Sequence, residues 1–335
     1  MTSGNIRICD AQDELEALNC LFRHYRAGLP PAKRTFTAAR MPLKFFLPPG
    51  LICFESGQPV AAILWDEFDA HPGLIQVRFY SESPEAGPLA VQLLMERFLA
   101  QTSQARVHHF EIWTDPGAKI HAALARLCFQ RKQRELLIFR QPLPSAAAPA
   151  GLQLQSFAND SPQDHELQTL AETLHAIYQR TPDGSLYDHF STPAHCCGYL
   201  DRVLNSAFFD ARNSWLAWSA TDHRLAGLGL CVLWPVGRSI YLEQLGVAPG
   251  FRGRGLARAL LSRVSAGLQN GLARNLVLTV TTENTVARSL YYGSNAALLD
   301  TERAYVRRMP DDAHGESPTP PGGYVQQPRA GLVPA

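Results

Sequence analysis

The sequence has little charge of either sign and no long apolar run. Its 335 residues carry 31 lysines and arginines against 30 aspartates and glutamates, a formal net charge of +1. So small a positive excess creates no overall electrostatic field that would attract nucleic acid, and no basic patch interleaved with aromatic residues occurs. No apolar stretch could span a bilayer, and no secretory signal pattern is present. We therefore expect a soluble, cytoplasmic protein without a nucleic-acid or membrane partner.

The sequence also lacks the cysteine number and spacing that would indicate disulfides or a metal site. The seven cysteines are odd in number and lack the spacing of a metal site, so the sequence predicts no metal and suits a reducing compartment. Cys196 and Cys197 are too close for an ordinary disulfide, and the adjacent His195 is more typical of a structural residue than of a ligand.

The sequence does contain a glycine-rich junction between an apolar strand and an amphipathic helix, which reads Val-Ala-Pro-Gly-Phe-Arg-Gly-Arg-Gly-Leu-Ala at 247–257. Amides at a helix start lack intrahelical partners, and the helix dipole adds partial positive charge, so the junction predicts a cradle for pyrophosphate. Gly253 and Gly255 would let the backbone approach an anion. The alternative is an ordinary turn between strand and helix.

Two other phosphate-binding motifs fit this junction poorly. A P-loop places Lys and then Ser or Thr at the helix start, where this chain has Leu256 and Ala257. A dinucleotide fingerprint needs a third glycine and an acidic residue about twenty positions further on.

The junction resembles instead the acyl-CoA loop of the GNAT acyltransferases, whose pattern is Arg or Gln, two residues, Gly, one residue, then Gly or Ala. Arg252, Gly255 and Ala257 satisfy it. Residues 243–249 resemble the family's fourth strand, and residues 284–291 match its signature of Asn, two residues, Ala, two residues and Leu-Tyr. Three blocks in this order, with a strand between the second and third, argue against chance agreement.

The resemblance implies an enzyme that uses acetyl-CoA as co-substrate, without a metal, to acetylate the primary amine of a small molecule by direct attack in a ternary complex. In this family the fourth strand splays from the fifth, the pantetheine arm lies in the gap, and a strand amide stabilises the oxyanion. The residues implied to bind CoA are Leu245, Gly246, Val247, Arg252, Gly253, Arg254, Gly255, Leu256, Ala257, Asn284, Ala287 and Arg288.

The resemblance also implies two catalytic side chains. Glu243 matches a carboxylate that takes the amine proton, a task that a raised pKa would suit; a solvated or ion-paired glutamate is the alternative. Tyr291 matches the tyrosine that protonates the departing thiolate; the alternative is a core tyrosine. Asn284 is also a natural helix cap. Residues 293–296 replace the family's Gly-Phe pair, so the turn after this helix is expected to differ.

The acceptor is expected beneath residues 181–197, the segment between the first two helices of this half. Asp183, Tyr187, Asp188 and His189 lie there. Acidic and aromatic groups of this kind hold cationic amines through charge-assisted hydrogen bonds and ring faces. A merely polar loop is the alternative.

The length and the 46% hydrophobic content allow two domains, and the hairpin-like segments 50–65 and 215–234, both ending in Leu-Trp, suggest a duplication. We predict a degenerate GNAT-like domain at 1–141, a linker at 142–150, a catalytic GNAT domain at 151–309 and a disordered tail at 310–335. The expected fold class is α/β (α+β): two tandem GNAT folds, each a mixed, mostly antiparallel twisted sheet flanked by helices.

The first copy has lost the features of the cradle. In place of the loop's arginine, glycine and alanine it has Pro84, Gly87 and Leu89, and the nearby Glu82 and Glu85 would repel phosphate. We expect this copy to act as a scaffold or to shape the acceptor site. This arrangement of a degenerate first domain and an intact second domain resembles that of tandem GNAT enzymes that acetylate the amine of a cysteinyl glycoside. The resemblance does not establish that substrate.

Two other functions stay open. The chain could be an acyl-CoA-binding regulator without turnover, or an acyltransferase that uses a longer acyl or aminoacyl donor. Users of aminoacyl-tRNA should show a basic groove, and the composition gives little sign of one.

Overall fold

The computed structural model describes residues 6–28, 49–67, 74–81, 88–102, 109–114, 118–158, 164–234, 238–270 and 273–308. Within these ranges the strands are β1 (Ile6–Asp10), β2 (Gly50–Glu55), β3 (Gln58–Glu67), β4 (Leu74–Ser81), β5 (His109–Thr114), β6 (Gln130–Phe139), β7 (Leu152–Ser156), β8 (Trp215–Ser219), β9 (Leu225–Trp234), β10 (Ser239–Val247), β11 (Asn275–Thr281) and β12 (Ala297–Arg308). The α-helices are α1 (Leu15–Gly28), α2 (Pro88–Thr102), α3 (Ala118–Arg126), α4 (Asp164–Tyr178), α5 (Pro182–Leu186), α6 (Pro193–Leu204), α7 (Leu256–Ser265) and α8 (Thr285–Gly293).

All the described strands belong to one sheet, in the order β1-β2-β3-β4-β5-β12-β6-β11-β10-β9-β8-β7. Neighbours are antiparallel except β4 with β5 and β10 with β11, which are parallel. The first five strands of each half therefore run in the same order from an outer edge to the centre. This arrangement confirms the predicted fold class of two tandem, mostly antiparallel units.

The last strand of each half lies against the other half. β6, which precedes the linker, pairs with β11, and β12 pairs with β5. β6 and β12 also pair with each other. A boundary drawn along the chain at residue 141 marks the sequence repeat, but it does not divide the sheet, because β6 continues the sheet of the C-terminal half.

The predicted hairpins are confirmed as β2–β3 and β8–β9. The strand at 241–247, the helix beyond the glycine loop and the helix that contains Tyr291 are likewise present. β6 begins at Gln130, in a segment with no strand signal of its own. Residues 130–134 are polar and carry no apolar pattern, but pairing with β12 extends the strand through them.

Helices cover both faces of the sheet. In the first half α2 packs Leu94 and Phe98 on one face, and α1 packs Leu18 and Leu21 on the other. In the second half α4 and α6 cover one face, and α7 and α8 cover the other. Burying one large side chain such as Phe98 stabilises the fold by about 1.5–3 kcal/mol. Each half thus has its own core on either side of the shared strands.

The linker at 142–150 has no regular secondary structure and is attached to α7. The amides of Leu143 and Ala146 donate to the hydroxyls of Ser265 and Ser262, over 3.0 and 3.1 Å. The Ser262 hydroxyl in turn donates to the Pro144 carbonyl over 2.9 Å. These contacts fix the path of the chain between the halves.

Some predictions fall outside the described residues. They are the tail at 310–335 and the first-copy residues Glu82, Pro84, Glu85 and Gly87, whereas Leu89 lies in the first turn of α2. No helix of the described part is both long and apolar enough to cross a membrane. Across the same ranges, no cluster of three or more His, Cys, Asp or Glu side chains could hold a metal ion. The seven cysteines, all of them described, are free thiols.

Candidate active site

A cleft of about 1200 Å³ opens where β10 and β11 separate. Residues 239–241 of β10 pair with β11, and the pairing stops there although the two strands continue to Val247 and Thr281. The splay that the family resemblance implied is therefore confirmed. On the other edge of β10, the register with β9 shifts and leaves Glu243 as an extra residue, a bulge of the kind that re-aims a side chain.

The edge of β10 beyond the bulge faces the cleft. The Leu245 carbonyl accepts a long hydrogen bond from the Tyr178 hydroxyl at 3.5 Å, and the Val247 carbonyl accepts from Arg252 Nε at 3.0 Å. The next amide, that of Ala248, donates to β9. Backbone groups alternate in direction along a strand, so the amides of Leu245 and Val247 point away from β9 and toward the gap.

The glycine loop presents a row of amides without partners. In the described range 238–270, the N–H groups of residues 253–258 make no hydrogen bond, and the first helical bond runs from the Ala259 amide to the Gly255 carbonyl. Gly253 and Gly255 have φ of 76° and 83°, in the left-handed region. A Cβ added at either glycine would meet no atom within 4 Å. The loop therefore has the free donors and the space that an anion needs.

Gly246 serves close packing. A Cβ added there would lie 2.6 Å from Ile177 Cγ2, so the missing side chain lets β10 approach α4. Most of the residues implied to contact CoA line the cleft: Leu245, Gly246, Val247, Arg252, Gly253, Gly255, Leu256, Ala257, Asn284 and Ala287.

The three arginines implied to bind CoA are placed differently. Arg252 lines the cleft, but its guanidinium donates to two backbone carbonyls, those of Val247 and Ile177, and so ties the loop to β10 and α4. Arg254 lies over the ring of Phe251, and Arg288 points to β6; neither is among the residues that line the cleft. The side chains of Arg254 and Arg288 therefore lie outside the cleft lining, although the Arg254 amide belongs to the row of unpaired amides at 253–258.

Arg288 is held by a carboxylate from the other half of the sequence. Its Nε and Nη2 donate to Glu135 Oε2 and Oε1, over 2.9 and 2.7 Å, and the Tyr292 hydroxyl donates to Oε2 over 3.0 Å. Burial raises the pKa of Glu135, but the bonds from Arg288 and Tyr292 outweigh it and hold that pKa below its ordinary value. This paired contact fastens α8 to β6.

Glu243 lies at the wall of the cleft and is partly exposed to it. The Tyr199 hydroxyl donates to Glu243 Oε1 over 2.8 Å and accepts from Gln244 Nε2 over 2.7 Å. Burial raises the pKa of Glu243 above its ordinary value, although the Tyr199 bond and the charges of Arg134 and Arg202 act in the opposite direction. A carboxylate with a raised pKa is a better proton acceptor near neutral pH.

Tyr291 lines the cleft from α8 and is buried against Leu278 and Val280 of β11. Burial and the charge of Asp183 raise its pKa above the ordinary value. The phenol therefore keeps its proton and is available as a hydrogen-bond donor.

Asn284 and Asp183 form a connected structural unit. Asn284 caps α8, since its side chain accepts from the Ala287 amide over 3.2 Å, and it donates to Asp183 Oδ2 over 2.5 Å. Asp183 Oδ1 accepts from the Thr281 amide over 3.1 Å and from the Thr281 hydroxyl. The buried Asp183 thus joins α5 to β11 and α8, which leaves it poorly placed to hold an amine.

Tyr187 lies at the cleft, where its ring stacks on His189 with centroids 5.0 Å apart and faces the guanidinium of Arg134 at 5.4 Å. The backbone of Asp188 lies in the short helix 188–190, and its side chain is outside the described part. Of the residues predicted to contact the acceptor, Asp183, Tyr187 and His189 therefore line the cleft.

Sequence reasoning missed four side chains that shape the site: Tyr178, Tyr199, Arg202 and Arg134. The first three lie on α4 and α6, where their spacing matches that of core residues. Arg134 lies on β6, in the segment assigned to the other copy. No local signal identifies it, because its place depends on strand pairing between the two halves.

A splayed parallel strand pair, a loop of free amides at a helix start and a carboxylate beside the gap define the GNAT type of acyltransferase fold. A family model described as the acetyltransferase (GNAT) family matches residues 172–293. The mycothiol acetyltransferase of Renibacterium salmoninarum is 28% identical over 200 residues, which are 55% of this chain and 55% of that protein. The match thus spans about half the length of this curated relative.

Two solved structures show the same fold over nearly the whole chain. A GCN5-related N-acetyltransferase from Sphaerobacter thermophilus, 15% identical, superposes with a TM-score of 0.62 over 92% of this chain and 96% of its own. A tandem GNAT protein from the clavulanic acid biosynthesis pathway, 13% identical, gives 0.56 over 91% and 98%. Residues 172–293 thus match the GNAT acetyltransferase family, and the chain as a whole has the fold of two tandem GNAT units.

Proposed function

We propose that this protein is an acetyl-CoA-dependent N-acetyltransferase, which transfers the acetyl group to a primary amine of a small molecule in a ternary complex. The unengaged amides at 253–258 support this function most directly, because they leave donors for a diphosphate at one end of the cleft. The open edge of β10 leads from them to Glu243. GNAT acetyltransferases in general act on small-molecule or amine acceptors, and the cytoplasmic location stays a prediction.

The cleft fits the elongated shape of acetyl-CoA. The amides at 253–258 would hold the diphosphate, and the outward groups of Leu245 and Val247 would pair with the amide-rich arm as a further strand would. Ala287 on α8 lines the opposite side of the gap. Acetyl-CoA supplies an activated acyl group as a thioester; the protein supplies its orientation.

Glu243 on β10 and Tyr291 on α8 both line the cleft and are the side chains that would handle protons in the transfer. The amine nitrogen forms a bond to the acyl carbon while the carbon–sulfur bond breaks; the amine proton goes to Glu243, and the Tyr291 hydroxyl donates to the sulfur that leaves. An amide at Leu245 or Val247 is the donor for the charge that develops on the acyl oxygen. Because the pKa of Tyr291 is raised, the phenol acts more as a hydrogen-bond donor than as a strong acid.

Calorimetry and turnover together test this function. Acetyl-CoA should bind, and a screen of small amines should release free thiol. Glu243→Gln should lower kcat/KM by about 100-fold or more, as loss of a general base does, with acetyl-CoA affinity retained. Glu283→Gln is the matched control, since Glu283 is exposed and pairs with Lys132 outside the cleft. Binding without thiol release would point instead to a regulator without turnover, and an unchanged rate in Glu243→Gln would show that Glu243 is not the general base.

A further inference from the structure

The last turn of α4 lies against the open edge of β10. Ile177 packs on Gly246, where an added Cβ would lie 2.6 Å from Ile177 Cγ2, and the Ile177 carbonyl accepts from Arg252 Nη2 over 2.9 Å. The next residue, Tyr178, reaches the same edge, with its hydroxyl 3.5 Å from the Leu245 carbonyl oxygen. These contacts hold the Tyr178 hydroxyl at the part of β10 that faces the cleft.

The ring of Tyr178 is fixed by its neighbours. It stacks on the buried ring of Phe190, with centroids 4.1 Å apart and planes 7° apart. The Phe190 carbonyl accepts from His175 Nδ1 of α4 over 2.9 Å, which anchors the segment behind the ring. Tyr178 itself is half-buried and lines the cleft. A side chain held in this way loses little conformational freedom when it contacts a ligand.

The Tyr178 proton is weakly engaged. At 3.5 Å, its bond to the Leu245 carbonyl is longer than the usual O–H···O distance of about 2.7–2.8 Å. Within the described part of the chain the hydroxyl has no second hydrogen bond. Burial raises the pKa of Tyr178 well above its ordinary value, and the charges of Tyr291 and Asp183 act in the same direction. The phenol therefore keeps its proton and can offer it to a closer acceptor.

Two tyrosines approach the gap from opposite faces of the sheet. Tyr178 belongs to α4 and Tyr291 to α8, and both line the cleft. During acyl transfer, negative charge develops on two atoms of a thioester, the acyl oxygen and the sulfur. The function proposed above assigns Tyr291 to the sulfur. The amide and the carbonyl of Leu245 share one strand edge, so an acyl oxygen held by that amide comes near the Tyr178 hydroxyl.

We infer that Tyr178 is a further catalytic residue, whose hydroxyl donates a hydrogen bond to the acyl oxygen together with the Leu245 amide. The inference rests on the acetyltransferase function proposed above and adds a side chain to its backbone donor. Tyr178 transfers no proton. Its O–H bond stays intact while the amine nitrogen bonds to the acyl carbon and the carbon–sulfur bond breaks.

Tyr178→Phe tests this role, because phenylalanine keeps the ring that stacks on Phe190 and removes the hydroxyl. Thiol release with a reactive amine should show kcat lowered by about 100-fold or more, as loss of one donor to a developing oxyanion does. Calorimetry should give an acetyl-CoA affinity within about twofold of that of the unchanged protein. Tyr292→Phe is the matched control and should keep the kcat of the unchanged protein, since Tyr292 donates to Glu135 and does not line the cleft.

A change of leaving group separates the two tyrosines. Acetyl-seleno-CoA carries the same acyl oxygen, but its selenolate leaves without the help of a proton donor. With this donor Tyr291→Phe should recover most of its lost rate, and Tyr178→Phe should not. Equal recovery in both variants would contradict the assignment of Tyr178 to the oxygen.

The carbonyl stretch of bound acetyl-CoA gives a measurement that needs no turnover. A hydrogen bond to the acyl oxygen lowers this frequency. Difference infrared spectra with acetyl-CoA carrying carbon-13 at the acyl carbon should therefore show the band at higher wavenumber in Tyr178→Phe than in the unchanged protein or in Tyr292→Phe. A hydroxyl that served only to hold the Leu245 carbonyl would leave the band in place.

Failures of the two proposals are distinguishable. An unshifted band in Tyr178→Phe, or a kcat within about threefold of that of the unchanged protein, would overturn the role of Tyr178 and leave the acetyltransferase function standing. If acetyl-CoA binds and no amine reacts, the infrared band alone decides the role of Tyr178. Absence of acetyl-CoA binding would overturn the proposed function itself, and the inference with it.

Discussion

At the scale of single residues, the site depends on how each polar side chain is held. Glu243 projects at a bulge in β10, and Tyr199 from α6 donates to its carboxylate. This bond favours the ionised carboxylate, while burial favours the neutral one. The balance between them sets the pH at which Glu243 can accept a proton.

Tyr199→Phe should move the acid side of the pH profile to higher pH. The variant removes a bond that lowers the pKa of Glu243, so the carboxylate is protonated up to a higher pH and the base is lost there. A hydrogen bond to a charged group is worth about 1.5–3 kcal/mol, which corresponds to a shift of about one to two pH units. The profile of kcat/KM against pH measures it.

Tyr292→Phe is the control for this prediction, because the Tyr292 hydroxyl donates to Glu135 and not to Glu243. It should leave the profile in place. A shift to lower pH in Tyr199→Phe would contradict the role given to Glu243.

At the scale of elements, the glycine loop and α7 form the anion site together. The loop enters the helix through Gly255 in the left-handed conformation, which leaves the amides of the first turn pointing into open space. The amphipathic pattern of α7 buries Leu260 and Leu261 and keeps the helix fixed on the sheet. Binding at this site thus depends on local backbone geometry more than on any charged side chain.

Gly255→Asp should abolish acetyl-CoA binding measured by calorimetry. The change places a carboxylate where phosphate oxygens would lie and strains a residue with φ of 83°, at a cost of about 1 kcal/mol. Gly57→Asp is the matched control, because Gly57 also has a positive φ, 80°, and open space but lies in the β2–β3 turn. Retained affinity in Gly255→Asp would contradict the anion site.

The elements near the loop were predictable from sequence, because strand, glycine turn and helix signals are local. The pairing of β6 with β11 was not, since several apolar strands of similar pattern compete for one neighbour and the pairing joins distant segments. Glu243, Tyr291 and the amides at the cleft lie within local motifs, so the sequence located them. Arg134 reaches the cleft only through the pairing of β6 with β11, so the sequence missed it. The directions of the Arg254 and Arg288 side chains, which point away from the cleft, were not predictable, because a motif gives a position and not a side-chain direction.

At the scale of the whole molecule, the two halves differ in the place where a cofactor arm would enter. β4 and β5 stay paired over five residues, from Leu74 opposite His109 to Arg78 opposite Trp113. The pairing of β10 with β11 ends after three. The strands of the first half are therefore joined where those of the second half are open.

One acetyl-CoA should bind per chain. β4 stays paired with β5 up to Arg78, so only residues 79–81 of this strand lie beyond the pairing, against residues 242–247 of β10, and the first half offers a shorter backbone edge for the pantetheine arm. Calorimetric titration gives the stoichiometry directly. A value of two would show that the first half also binds acetyl-CoA.

Glu135→Gln should destabilise the fold by about 1 kcal/mol at neutral pH, after allowance for the partial exposure of Arg288. The folded pKa of Glu135 is lowered, so its contribution is complete above the ordinary carboxyl pKa and is lost as the pH falls through the lowered value. Urea unfolding of the unchanged protein and of Glu135→Gln measures the difference in their free energies of unfolding. The difference should be present at neutral pH and absent at acid pH. Glu283→Gln, which breaks the exposed pair with Lys132, should cost less. An equal difference at both pH values would contradict this account.

The placement of β6 and β12 also constrains how the protein is made. β12 is the last described strand to leave the ribosome, and β5 needs it as a neighbour. The N-terminal half therefore emerges with an incomplete sheet whose inner edge stays open until β12 has been made. A nascent chain in this state folds through slow, long-range contacts, and its unpaired strand edges can pair with other chains. Chaperones that cover such edges should therefore improve the yield of folded protein in cells.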